Sequence, residues 1–452
     1  MKKKILAALL LSLVLTGCGS TPEVTIPAVP SSPIIVESSS AVKESSEASS
    51  EIASSESSQP ESASPEPDTG SVKPILSGAL KNNNGFFVQK GDIVYFRVPT
   101  RDAMLTPEVS SAYMTFVPGS ILCSYNLKTG AIEELSEDNS CGPLVLSGEE
   151  LYSHASMSDE TRTYEYLETM NLRTGEVSPV EGSDLLGASE NGTYVAVGNW
   201  VDSFPPIHSL WIYQDGMKIA DLGAFQSFVG FFRDKAVYIA NESDGFNETY
   251  YLRSYDVKTG ANVNLGFISN LEDFYPGVID QTYVDGNRIY ICFGIYEGTG
   301  HFYAGAKLVE ADLNTPGSIS VSDMPSSEDF PEWPEHSPFF IVENGFLRLV
   351  DGVPGTTALD TTGMLGYYDE NAQFVPVASG YDSTIALNEN HFTRMEIAEY
   401  IDGKLFVVTN EEIRDPAHDI GWRYAYYRKT TDITVIDCNT LESTTLAHVV
   451  SE

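Results

Sequence analysis

Four stretches of the chain set a histidine close to a large aromatic ring: Trp200 with His208, Tyr296 with His301, Trp333 with His336, and His418 with Trp422. Rings that join an apolar body to a polar handle are the usual anchors of binding surfaces. These eight residues form a candidate binding face, although such rings also serve to pin long loops in place. Signatures of catalysis are missing. No GxSxG, HExxH or GxxxxGK[ST] stretch occurs, nor an EF-hand loop, nor a close cysteine pair. The run NESDGFNE at 241–248 carries oxygen ligands suited to calcium without their spacing, and reads as an exposed hairpin loop. The seven histidines, at 154, 208, 301, 336, 391, 418 and 448, are scattered one per loop or strand. No metal or cofactor is expected. With 64 acidic residues, a pair of carboxylates able to work on a glycosidic bond could stand anywhere in the chain, and spacing alone does not place it.

All of these rings fall in long inserts: NWVDSFPPIHS (199–209), GIYEGTGHFYAGA (294–306), SSEDFPEWPEHSP (326–338) and NEEIRDPAHDIGWRYAYYRKT (410–430). The inserts interrupt a repeat. The phrase YNLKTG at 125–130 returns as MNLRTG at 170–175 and YDVKTG at 255–260, and in weaker form as WIYQDG, EADLNTPG, GYYDENA and VIDCNT. A second feature, a turn followed by an apolar strand, recurs in step with it, starting at residues 91, 148, 191, 234, 286, 344 and 403. Each unit reads as four antiparallel strands, with the KTG phrase as the turn between the third and fourth and its glycine supplying positive φ. The spacing suits blades of four strands, and largely apolar strands suit sheets covered on both faces. The fold expected is all-β: a seven-bladed β-propeller with its long connections gathered on one face, where scaffolds place recognition.

Ahead of the repeat the chain changes character. MKKKILAALLLSLVLTGCGS has three lysines, an apolar run too short to span a bilayer, and small residues, the layout of a secretory signal. From residue 19 to about 74, Ser, Glu, Pro and Ala dominate, so the segment has little to bury and is expected to be a disordered tether. The organisation expected is a signal peptide over 1–17, a lipidated cysteine and linker over 18–75, and the propeller over 76–452. Formal net charge is −38, which disfavours nucleic acid and anionic surfaces as partners. Besides Cys18, the cysteines are Cys123, Cys141, Cys292 and Cys438. Cys292, inside RIYICF, reads as a buried small hydrophobe, while Cys123 and Cys141 are either a disulfide or two buried thiols.

Leu15-Thr16-Gly17-Cys18 resembles the lipobox of bacterial lipoproteins, which implies diacylglyceryl attachment at Cys18 and residence on the outer face of the cytoplasmic membrane. From Gly85 onward the chain resembles the degenerate propellers of bacterial extracytoplasmic proteins, the TolB-like and low-density-lipoprotein-receptor-like class, and LFVVTN resembles the YVTN repeat. WD, Asp-box and kelch signatures are missing. The resemblance implies fold and a binding role and carries over no active-site residue. The function expected is therefore a lipid-anchored, non-enzymatic propeller that binds a protein, small molecule or glycan. The alternatives are a carbohydrate-active hydrolase or lyase on the same scaffold, or a passive subunit of an envelope complex. Two acids close together on one concavity, at least one of them desolvated, would favour the enzyme.

Overall fold

The computed structural model describes residues 85–105, 108–109, 119–138, 140–158, 163–189, 192–201, 207–243, 248–270, 273–276, 279–297, 302–324, 339–343, 346–350, 352–381, 385–388, 390–419 and 425–451. They form a seven-bladed β-propeller. Blades 1 to 5 are four-stranded antiparallel sheets that start with strands Val88–Lys90, Ser140–Ser147, Asp184–Ala188, Ser227–Phe232 and Ile279–Asp285. Blade 6 departs from the expected pattern, being divided between a pair, Phe339–Glu343 with Phe346–Val350, and a three-stranded piece running from Thr357–Leu359 to Phe374–Ser379. Blade 7 consists of His391–Ile401, Lys404–Arg414, Ala425–Asp437 and Ser443–Val450, with Ile385–Asn388 added beside its first strand. The first strands of consecutive blades lie side by side from blade 1 to blade 6, so they form the inner ring.

The KTG phrase does what its residues suggest. Asn126 Oδ1 accepts from the backbone N–H groups of Lys128 and Thr129, both at 2.9 Å, while the Gly130 N–H closes onto the Asn126 carbonyl at 2.8 Å. Asn171 and Asp256 play the same part in the other two copies. Gly130, Gly175 and Gly260 all stand at φ +72°, a region closed to most side chains. Each turn reverses the chain in the same geometry, so successive blades start in equivalent places.

Blades stack through their apolar faces. Between blades 7 and 1, Phe406, Val408, Ile433 and Val435 pack on Phe87, Val94, Phe96 and Cys123. The Phe87 and Phe406 ring centroids are 5.1 Å apart. Large-to-small changes at such buried rings typically cost about 3–5 kcal/mol. Cys292 is fully buried, as its strand context implies, and burial pushes its thiol up to about 12. Cys123 is a free buried thiol, which settles its state against a disulfide.

One insert of blade 1 belongs to the ring closure. Residues 101–120 read as a loop, yet Arg101–Leu105 forms a short helix and Glu108–Val109 pairs antiparallel with Tyr426 and Ala425 of blade 7. The third strand of blade 7 outruns its fourth, which pairs only from Thr430 to Ile436. Glu108–Val109 covers the overhang. Ala103 and Met104 are buried, and Arg101 Nε donates to the Ser451 carbonyl at 2.7 Å.

Candidate active site

In each antiparallel blade the end of the second strand, the start of the third and the start of the first lie at the same end, the one from which the long connections depart. At that end of blade 7 the strands carry a group of charged and polar side chains: Arg394 and Glu396 on the first, Asn410 and Glu412 on the second, Arg428 and Thr431 on the third. Two irregularities in strand pairing gather them. One lies between Met395 and Ile397, where Glu396 is the extra residue, and the other between Glu411 and Glu412. Bulges of this kind re-aim side chains and are common beside active sites.

Glu412 forms the floor of the cluster, only 6% exposed. Burial holds its carboxyl above the ordinary range. Arg394, with Nη2 at 3.6 Å, and Arg428, its cross-strand neighbour, pull the other way, while the charge of Glu396 adds to the rise. Asn410 donates from Nδ2 to Glu396 Oε2 at 3.2 Å and accepts at Oδ1 from Thr431 Oγ1 at 2.8 Å. Arg394 and Glu396 reach solvent, whereas Asn410, Thr431 and Arg428 are buried. A buried acid held above its ordinary range beside an accessible second carboxylate is an arrangement suited to general acid–base work.

A second polar group stands across the same strand. Glu411 Oε1 meets His391 Nε2 at 2.5 Å and Lys429 Nζ at 3.1 Å. Burial raises the Glu411 carboxyl, but the hydrogen bonds and charges of Lys429 and His391 outweigh it, and the group is held below its usual value. Adjacent glutamates on one strand are thus driven in opposite directions. Among the described residues, no group of three or more His, Cys, Asp or Glu is placed to hold a metal ion.

Of the residues singled out in the sequence, the structure brings Trp200 and His208 together. They are cross-strand partners in blade 3, edge to face with ring centroids 3.8 Å apart. His418 lies exposed in the turn Pro416–His418, its Nδ1 at 2.7 Å from Asp415 Oδ2. Tyr296 lies in strand Arg288–Glu297 opposite Tyr303, with its side chain outside the described residues. Cys18, His301, Trp333, His336 and Trp422 also lie outside them, as does the centre of NESDGFNE. The Glu412 cluster was not anticipated. Its signal was charge inside apolar strands, in FTRMEIAEY and VVTNEEIR.

No known protein family matches the chain, and no curated protein matches it by sequence. Solved structures do. The β-propeller domain of the Trilobed protease from Pyrococcus furiosus is 12% identical over 82% of this chain and 98% of its own, with a TM-score of 0.42. The Pyrococcus horikoshii acylaminoacyl peptidase is 12% identical over 81% of this chain and 52% of its own, with a TM-score of 0.41. An ulvan lyase representing a polysaccharide lyase family is 12% identical over 75% and 92%, with a TM-score of 0.37. These likenesses concern the fold, and all three names are those of enzymes or parts of them. The expectation of a non-enzymatic binding propeller is corrected here: the solved structures alike in fold include peptidases and polysaccharide lyases, and Glu412 supplies a buried acid beside a second carboxylate.

Proposed function

We propose that the chain is a glycan-cleaving enzyme carried on a propeller scaffold and tethered outside the cytoplasmic membrane through Cys18. The observation that carries the reading is Glu412, a buried carboxyl held above its ordinary range with Glu396 beside it on the long-loop face. In the proposed reaction Glu412 gives its proton to the oxygen of the departing sugar. Glu396, accessible and oriented by Asn410, acts on the opposite side as nucleophile or as base toward water. Arg394 and Arg428, which oppose the effect of burial on Glu412, would balance the charge left on it once its proton has gone. The lysines, apolar run and LTGC of the first 18 residues support the anchor and the location.

The test is to incubate the full chain with a panel of neutral, amino-sugar and uronate polysaccharides and to count new reducing ends. Wild type is expected to release them from at least one, and Glu412→Gln, close in shape, to lose about 100-fold or more of the rate at unchanged thermal stability. The rate should fall as pH rises past the raised carboxyl, since the acid must enter protonated. A panel wholly resistant to wild type, or a Glu412→Gln variant of full activity, overturns the reading. For the anchor, Cys18→Ser should appear in the culture medium, and its retention in membranes at high salt would refute lipid attachment.

A further inference from the structure

A second feature of the long-loop face lies on blades 3 and 4. Trp200 is 48% exposed at the outer end of its hairpin, its ring held edge to face against His208. The Trp200 backbone N–H donates to Ser183 Oγ at 2.9 Å, and that hydroxyl donates to Asp184 Oδ2 at 2.8 Å. His208 in turn stands 6.2 Å from the ring of Phe225, whose N–H donates to the His208 carbonyl. The next residue, Gln226, crosses to the following connection and donates from Nε2 to the Tyr275 hydroxyl. Tyr275 is 49% exposed and meets Tyr250 edge to face at 6.0 Å, and the Tyr250 hydroxyl donates to Glu248 Oε2 at 2.5 Å. Two exposed rings are thereby joined by an unbroken chain of contacts across two blades, with amide, imidazole and carboxylate groups between and beside them.

We propose that this strip binds an extended, uncharged or amino-sugar glycan chain and holds it for the enzyme. The inference rests on the glycan-cleaving reading and adds to it a substrate class and a place. An exposed indole or phenol offers a flat apolar surface to the C–H face of a pyranose, and the polar groups at its edge take the hydroxyls. Each ring is fixed by a neighbouring residue, so little freedom is lost on contact. Protein interfaces of ordinary affinity need a broad packed patch, whereas two separated rings with polar groups between them suit a narrow, ribbon-like ligand. Among the described residues, Asp184, Glu248 and Asp273 put negative charge at or near the strip, and the chain carries −38 overall, so a polyuronate would be repelled. Blades 3 and 4 stand roughly half a turn of the ring from blade 7, so the strip would hold sugars remote from the bond that is cut.

Calorimetric titration of the full chain with chitohexaose, cellohexaose and hexagalacturonate tests this. One of the first two is expected to bind, with Trp200→Ala and Tyr275→Ala each weakening it by roughly 5- to 10-fold. Trp200→Phe should recover part of the loss, and both exposed-site variants should melt like wild type. Glu412→Gln should bind as wild type does, which separates the two proposals. Binding without any turnover by wild type would sink the enzyme and leave the strip, while turnover with unimpaired binding by the Trp200 and Tyr275 variants would sink the strip alone. Exclusive binding of hexagalacturonate, or of none of the three, also overturns it.

Discussion

Thr129, Thr174, Thr259 and Thr440 stand at the same place in four turns, and each Oγ1 accepts the backbone N–H two residues further on, at 3.3 to 3.4 Å. Together with the Asn or Asp three residues earlier, the threonine satisfies donors that a tight reversal would otherwise leave unpaired. Leu441 occupies the position that glycine holds in the other three, at φ +61° and 59% exposed. A branched side chain in the left-handed region costs on the order of 1 kcal/mol or more, and little contact at this exposed site offsets it. Leu441→Gly is therefore expected to stabilise the protein by about 1 kcal/mol, seen as a higher denaturant midpoint at unchanged slope. A lower midpoint would mean that the leucine makes contacts worth more than its strain.

At the scale of elements, Arg101–Leu105 and Glu108–Val109 belong to blade 1 in sequence and pack or pair with blade 7 in space. Met104 is fully buried although it lies in a surface connection. Met104→Ala should cost about 2–5 kcal/mol, as at a core position, and lower the thermal midpoint by several degrees. A loss below about 0.5 kcal/mol, the size of an ordinary surface change, would show that the segment is not packed. The blades themselves were legible because four apolar strands and an Asn/Asp-x-x-Thr-Gly turn recur in step. This segment was not, since a five-residue helix and a two-residue strand leave no periodic trace. Trp200 and His208 could be paired from a hairpin reading. Glu396 and Glu412 could not, because their meeting depends on irregular strand pairing that no residue spacing announces.

For the molecule as a whole, the seam between blades 7 and 1 is where the ring closes, and Glu399 sits in it. Its Oε1 accepts the Phe86 N–H at 3.1 Å, tying the inner strand of blade 7 to the start of blade 1. Burial pushes its carboxyl up from the ordinary 4.5 to about 7, against the pull of the Phe86 and Phe87 N–H groups. Between those two values the folded state holds a proton that the unfolded chain has lost. The contribution is thus fully present below pH 4.5, declines as pH rises toward about 7, and is flat beyond it. The whole effect is about 3 kcal/mol at most. Melting curves across that window should fall with pH more steeply for wild type than for Glu399→Gln, and parallel curves would remove Glu399 from the account. Closure by packing and by the Glu108–Val109 clasp also sets an order of events. Blades 1 to 5 can stack one after another as the chain emerges, each on its predecessor. The overhang clasped by Glu108–Val109, the Glu399 tie and the cluster around Glu412 all wait for residues beyond 390. On this account a synthesis intermediate is a nearly complete but open crescent, and the Glu412 cluster forms only with its last blade, on which all its residues lie.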